Sequence, residues 1–195
     1  DDGVRSIKGQ HTFKREYQST KRSDVSVDII NLDTKYSFKE VVKLRALSSV
    51  LKTALREKIR EDKRQTYGFS LNAKLARYPY EHSKAVIGFT CDPANTDKII
   101  AEIKEIIASI KRDGALLPNH LEDFKAQSEI SIKKDYEKPE FWQNLIISNK
   151  IFNTPLYTAD EYIDAVKAVT NDDIKEAARL YLDEKNMVIS INNPK

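Results

Sequence analysis

The sequence predicts an α+β fold in which helices pack on one face of a mainly antiparallel sheet. Two observations predict it. Alternating apolar and polar residues, typical of strands, recur in the first half of the chain, whereas apolar residues spaced three and four apart dominate the second half. Strands that come first and are followed by a block of helices favour an antiparallel sheet with its helices on one side.

The first half contains four predicted strands and one long helix. Strands are predicted at 12–17, 25–29, 67–76 and 85–91, the last two forming a hairpin around a turn at 78–83. Ser37 and Glu40 have the spacing of a capping box, so we expect a helix to begin there. Its apolar residues share one face to about residue 60, namely Phe38, Val41, Leu44, Leu47, Leu51, Leu55 and Ile59.

The second half contains five predicted helices and a closing strand at 187–191. The helices are expected to begin near Thr96, at Pro118, after Pro139, and at the capping boxes Thr158 with Glu161 and Thr170 with Asp173. The predicted order is β-β-α-β-β-α-α-α-α-α-β. We expect a single domain at 13–195 and a tail or linker at 1–12. Because the sequence begins with Asp1 and not Met, we expect it to be a piece of a longer chain.

Composition excludes several classes of protein. The chain has 195 residues and a net charge of +3 spread evenly along it, which does not indicate a nucleic-acid partner. No apolar run approaches the ~20 residues of a membrane-spanning helix. The single cysteine, Cys91, excludes an internal disulfide framework and any cysteine-rich zinc module.

Metal-ligating residues do not form a site in this sequence. A zinc peptidase needs two histidines one helical turn apart and a glutamate, and neither HExxH nor HxxEH occurs. Glu81 and His82 fall in the hairpin turn, so we expect them to be solvated turn residues. His120 falls in the first turn of a helix, where we expect it at the surface. The sequence thus predicts no metal ligand and no complete catalytic constellation in this chain.

The residues from 55 to 68 connect the end of the first helix to the next strand. Basic residues at a helix C-terminus complement the helix dipole, which explains Arg56, Lys58, Lys63 and Arg64. Ile59-Arg60-Glu61, followed by Tyr67-Gly68, resembles the Arg-Glu…Tyr signature of the pitrilysin/insulysin (inverzincin) family of zinc peptidases.

The resemblance covers about residues 13–195. The segment 88–95 resembles the family's return strand and the turn that follows it, 170–182 resembles its closing sequence stretch, and 186–194 resembles its final strand. The pair Phe141-Trp142 resembles the PqqL-type bacterial subgroup. The fold implied is the mitochondrial-processing-peptidase/pitrilysin-like metallohydrolase fold, and the part implied is the C-terminal domain, which lacks zinc.

The resemblance also implies a function. Family members close two halves around a peptide, and the first half carries HxxEH and the zinc. We therefore expect no cofactor in this chain, zinc in an N-terminal half of the same protein or in a separate zinc subunit, and a peptide substrate. Arg60 would anchor the peptide, and Tyr67 would donate a hydrogen bond to the scissile carbonyl as its charge develops. Gly68 would let the backbone pass close to a ligand, or is an ordinary strand glycine. The chain alone is expected to be inactive.

The sequence departs from the family pattern at 64–66, where Arg-Gln-Thr stands in place of the glycine that many members have before the Tyr. Because of this departure, the sequence does not determine the geometry of the turn or how far the Arg60 side chain reaches. Two alternatives stay open as well: an inactive scaffold or partner subunit of the same fold, and an unrelated α+β binding module. Phe141, Trp142, Tyr78 and Tyr80 are candidates for a contact surface with the other half, although core packing is the stronger prediction for Trp142. The resemblance favours a bacterial periplasm or cell envelope.

Overall fold

A computed structural model describes residues 3–18, 21–61 and 66–195, except for the side chains at 17, 18, 59–61 and 67. The strands are β1 (His11–Gln18), β2 (Ser23–Asn31), β3 (Thr66–Ala76), β4 (His82–Cys91) and β5 (Met187–Pro194). The helices are α1 (Phe38–Glu61), α2 (Thr96–Asp113), α3 (Pro118–Tyr136), α4 (Pro139–Phe152), α5 (Ala159–Lys167) and α6 (Asn171–Tyr181). The α+β class and the predicted order of elements are confirmed.

The strands form one sheet in the order β1-β5-β2-β4-β3. β2, β3, β4 and β5 pair antiparallel, whereas β1 joins β5 in parallel. The sheet is therefore mainly antiparallel, as predicted, with one parallel pair that brings the two ends of the chain together. β1 begins at His11, inside the stretch 1–12 assigned to a tail, and the backbone N–H of Gly9 donates to Asn186 Oδ1 at 2.9 Å. The domain boundary itself stays a prediction.

One face of the sheet is buried under the helices. Alternate residues of the central strands are buried and join apolar residues of the helices in one core. The strand residues on this face include Val25, Val27, Ile29, Ala85, Ile87, Phe89, Met187, Ile189 and Ile191. Helix α1 contacts β3, α2, α3, α5 and α6 and so lies at the centre of the helical layer. The opposite face of the sheet carries mostly small, polar and charged side chains, together with Phe13 and Val86, and is not covered by these helices. No helix within the described ranges has the length and apolar character needed to cross a membrane.

The predicted capping residues act at helix starts. The capping boxes Thr158 with Glu161 and Thr170 with Asp173 are both present with reciprocal hydrogen bonds. At the start of α1, the backbone N–H of Glu40 donates to Ser37 Oγ at 3.1 Å. Each cap satisfies N–H groups that have no partner inside their own helix.

A polar network joins α1 to the start of α6. Lys43 Nζ lies 2.7 Å from Asp173 Oδ1 and 3.6 Å from Glu40 Oε1, and the Tyr181 phenol donates to Glu40 Oε2 at 2.5 Å. Burial opposes ionisation of Asp173, but hydrogen bonds from Lys43 and Thr170 outweigh burial and lower the pKa of Asp173 to about 2. Burial and the bond to Glu40 raise the pKa of the Tyr181 phenol. Ionised Asp173 therefore stabilises the folded chain.

Replacing Asp173 by asparagine is expected to lower the free energy of unfolding by about 2 kcal/mol at pH 7. Because the folded pKa lies below the unfolded pKa, this contribution is complete above about pH 5 and decreases as the pH falls toward 2. The difference between wild type and Asp173→Asn should shrink to about half at pH 3, measured by urea unfolding.

Asp172→Asn is the matched control, because its carboxylate pairs with Lys175 while remaining 83% exposed. We expect a loss below about 0.5 kcal/mol for this variant. Equal losses for the two variants, or a loss at Asp173 that does not change with pH, would contradict the role given to ionised Asp173.

Candidate functional site

The predicted site residues lie where α1 leads into β3. Arg60 is in the last turn of α1, Tyr67 is the second residue of β3, and Gly68 follows it. The side chains of Arg60 and Tyr67 and all of 62–65 lie outside the described residues. The approach of the guanidinium group to the phenol therefore stays a prediction, and Gly68 is the one predicted site residue described in full.

Both elements beside this connection are anchored in the core. Leu51, Ala54 and Leu55 of α1 are buried, and Phe69 and Leu71 of β3 pack against the same core. β3 is an outer strand, so one backbone edge faces away from the sheet. The pairing of β3 with β4 shifts register between Thr66 and Gly68, so the backbone at Tyr67 lies within an irregularity of the edge strand. Such irregularities re-aim side chains at sheet edges.

Gly68 is exposed, and a β-carbon built on it would meet no atom within 4 Å. Its φ angle is not in the left-handed region either. The described residues thus give no packing or backbone reason for glycine at this position. Gly114 differs, because it has φ +81° and its added β-carbon would lie 2.2 Å from Asn171 Oδ1. Asn171 bonds the backbone at both Asp113 and Ala115, so there is little room for that carbon.

His120 was predicted at the surface, and that prediction is wrong. Its side chain is buried between α3 and α1, and its Nε2 lies 2.9 Å from Glu57 Oε2. Its Nδ1 is buried without a hydrogen-bond partner among the described atoms. His120 lies one helical turn before Phe124 on the inward side of α3, a spacing that indicates the buried face. The contact ties α3 to α1 three residues before Arg60.

Glu81 lies in the turn between β3 and β4, His82 is the first residue of β4, and both have structural partners. The Tyr36 backbone N–H donates to Glu81 Oε1 at 3.1 Å, and His82 Nδ1 donates to the Tyr80 carbonyl at 3.0 Å. Both residues are half-buried and not fully solvated. Within the described part of the chain, no three His, Cys, Asp or Glu side chains come together to hold a metal ion. These side chains do not fit a zinc site.

Of the aromatic residues proposed for a contact surface, Phe141 packs against the core, whereas Trp142 and Tyr78 are exposed. The ring of Phe141 lies 5.4 Å from that of Tyr136. Trp142 was predicted in the core, and this is wrong: it is 39% exposed, with Nε1 donating to the Tyr136 carbonyl at 2.9 Å. Tyr78 is exposed and lies against Phe152 of α4, ring to ring at 5.7 Å. Helix α4 is apolar on several sides but fully buries only Leu145.

The chain is similar to known proteins in its fold and not detectably in its sequence. No protein-family model and no curated protein matches the sequence. Among solved structures, the ferredoxin protease FusC, in complex with Arabidopsis ferredoxin, matches with a TM-score of 0.82 and 16% identity over 97% of this chain and 21% of its own. The periplasmic protease PqqL from Escherichia coli matches with a TM-score of 0.81 and 17% identity over the same shares, 97% and 21%.

The chain has the fold of the M16 (pitrilysin/insulinase-family) peptidases. The peptidase M16 inactive domain from Pseudomonas fluorescens matches as well, with a TM-score of 0.72 and 14% identity over 96% of this chain and 44% of its own. The predicted resemblance is thus confirmed at the level of the M16 fold. The chain spans about a fifth of the length of FusC and of PqqL.

Gly68→Ala is expected to leave the free energy of unfolding unchanged or to raise it by up to about 1 kcal/mol, because alanine has space and fewer unfolded conformations. Gly114→Ala, the control, should lower it by about 1–3 kcal/mol, because its backbone conformation disfavours a side chain. Chemical denaturation of both variants measures the difference. A loss at Gly68 equal to that at Gly114 would show that glycine is required for folding there.

Proposed function

We propose that this chain is the substrate-binding, zinc-free C-terminal domain of a zinc-dependent endopeptidase that hydrolyses peptides in a closed chamber formed by two halves. One observation carries the proposal: 97% of the chain superposes on about a fifth of PqqL and on about a fifth of FusC. A unit of this size and fold is one part of a larger protease in both cases. The resemblance of the motif at Arg60 and Tyr67 to the family's signature supports the assignment to the part without zinc.

Zinc would be held by the other half in this proposal. When bound there, zinc polarises the scissile carbonyl and activates water. The described residues of this chain bring together no group of side chains that fits a metal ion. In this proposal, the chain binds and orients the peptide. The uncovered sheet face, with its small and polar side chains, is suited to face a polypeptide across a chamber.

Arg60 is proposed to anchor the peptide. Charge-assisted hydrogen bonds from a guanidinium group to backbone carbonyls or carboxylates are stronger than neutral ones. The turn that carries Arg60 is supported by buried Leu55 and by the contact of Glu57 with His120. Rigid elements hold binding groups more accurately than loops do. The support beneath Arg60 thus favours a positioning role for this turn.

Tyr67 is proposed to act on the reacting carbonyl. A phenol that donates to the developing oxyanion stabilises the transition state more than the bound substrate. The backbone of Tyr67 lies at the start of an outer strand, within an irregularity of the pairing, and this location at the sheet edge supports the proposal. Gly68, beside it, leaves room for a peptide backbone to approach.

In the complete zinc-bearing protein, Tyr67→Phe is expected to lower kcat by about 10²- to 10³-fold, as the loss of one oxyanion donor does. KM should change little, because the interaction forms only in the transition state. Steady-state hydrolysis of a quenched fluorescent peptide measures both constants. Tyr78→Phe, at an exposed tyrosine of the same hairpin, is the matched control and should retain full activity. An unchanged kcat in Tyr67→Phe would remove this residue from the reaction.

Arg60→Gln should instead raise KM about tenfold or more, because a charged hydrogen bond to the peptide is lost in the ground state and transition state alike. Arg56→Gln, one turn earlier on α1, removes the same charge and should leave KM within about twofold. The same peptide assay compares the two variants. Equal effects would indicate a general effect of charge and contradict an anchoring contact at Arg60.

A second candidate function is an inactive scaffold or partner subunit of the same fold. The match to a Pseudomonas fluorescens domain described as inactive favours it, as does the exposed apolar surface of α4. Zinc content and peptide hydrolysis of the complete protein distinguish the two: a protein that binds no zinc and cleaves no peptide is the scaffold. By analogy with periplasmic PqqL, we propose a bacterial periplasm or cell envelope as the location of the protein.

A further inference from the structure

A cleft lies on the uncovered face of the sheet, close to the turn between β3 and β4. It has a volume of about 390 Å³ and is lined by Asn72, Lys74, His82, Lys84 and Val86. Lys74 and Lys84 are direct partners in the register of the two strands. Side chains paired in this way have β-carbons about 4.5–5.5 Å apart. The strand pairing therefore brings two ammonium-bearing side chains side by side.

Like charges directly opposite each other destabilise a sheet, so a compensating anion is expected. Asp28 compensates Lys84, with Oδ2 at 2.7 Å from Nζ, while its Oδ1 accepts the Ser26 hydroxyl at 2.5 Å. Both oxygens of Asp28 are thus engaged. Lys74 pairs with no carboxylate of the described residues, and none of the five residues lining the cleft is acidic. The cleft has an excess of positive charge.

Further groups around the cleft suit an anion. His82 Nδ1 donates to the Tyr80 carbonyl, which orients the ring of His82. The Tyr80 ring lies 4.6 Å from the His82 ring, and the Arg5 guanidinium lies 4.0 Å above the Tyr80 ring. The Asn72 side-chain amide adds neutral hydrogen-bond donors. Ammonium groups and amide N–H groups together are donors that a carboxylate accepts from.

We propose that this cleft binds a carboxylate of the peptide, either an acidic side chain or the C-terminal carboxylate. The inference rests on the proposed function, because it assumes that a peptide runs along this domain. Lys74 lies seven residues after Tyr67 on the same strand, which corresponds to about 23 Å. An extended peptide covers that distance in about seven residues. For a peptide that runs along β3, a carboxylate bound by Lys74 would lie about seven residues from the position beside the Tyr67 backbone.

Peptide binding to the 195-residue chain tests the inference without requiring catalysis. Three fluorescently labelled decapeptides differ only in their carboxylate: one carries an internal glutamate and an amidated end, one a glutamine and a free C-terminus, and one neither carboxylate. Fluorescence anisotropy at low ionic strength should give a Kd about three- to fivefold lower for a carboxylate peptide than for the neutral one. The peptide that gains more identifies the source of the carboxylate.

The preference should disappear in Lys74→Gln and persist in Lys52→Gln, which removes the same charge from an exposed position on α1. It should also decrease in 0.5 M salt, because exposed charges are screened. Lys74→Gln is expected to fold normally, since it relieves repulsion from Lys84, and its melting temperature checks this.

Three results would overturn the inference, and they differ in what they say of the proposed function. Equal binding of all three peptides, weakened by Arg60→Gln, would remove the carboxylate site and support peptide binding. A preference that survives Lys74→Gln would place the carboxylate elsewhere on the chain. Failure of every peptide to bind at millimolar concentration would overturn both the carboxylate site and the substrate-binding role.

Discussion

Burial of the apolar stripe of α1 is the constraint on which the rest of the structure depends. Leu47, Leu51 and Leu55 are buried to within 1% exposure at the junction of the sheet with the other helices. Because α1 contacts β3, α2, α3, α5 and α6, its position sets the side of the sheet on which those helices lie. A single covered face leaves the other face uncovered, and that is where the small and polar strand residues lie. The free energy of burying apolar area therefore also determines which surface can meet a ligand.

Polar contacts add specificity to this packing. Lys43 joins α1 to the capping box of α6 through Asp173, and His120 joins α3 to α1 through Glu57. Both contacts connect a helix start to a distant part of α1, so they help to fix where each helix lies along the core. The contact between Glu57 and His120 is close to the end of α1. It joins α3 to the last turns of α1, which carry Arg60.

Two surfaces of the sheet are proposed to contact the peptide: the outer edge at the start of β3, and the cleft on the uncovered face. The start of β3 carries Tyr67 and Gly68, and its far end carries Lys74. A polypeptide that follows this strand meets both ends, because strand and extended peptide have nearly the same rise per residue. In this proposal, the length of β3 sets the distance along the substrate between the reacting bond and a charged residue. The M16 fold supplies the scaffold, and we propose that these particular side chains give this chain a substrate preference of its own.

Local signals in the sequence were sufficient to predict most of the fold. Alternation placed β3 and β4, the three- and four-residue spacing placed α1 and α2, and the boxes at Thr158 and Thr170 placed two helix starts. These predictions succeeded because each depends on residues within one or two turns of each other. The segment at Arg60 and Tyr67 is also a short motif at the end of a helix, but its role in binding stays a prediction.

Contacts between distant residues were decided only by the tertiary structure. The parallel pairing of β1 with β5, the burial of His120 and the opposition of Lys74 to Lys84 all depend on partners far along the chain or on an exact strand register. Periodicity identifies the inward face of a helix or strand, but not the element that covers it. The sequence by itself determined the elements and their apolar faces, whereas packing decided which polar groups became neighbours, because side-chain proximity across elements has no local signature.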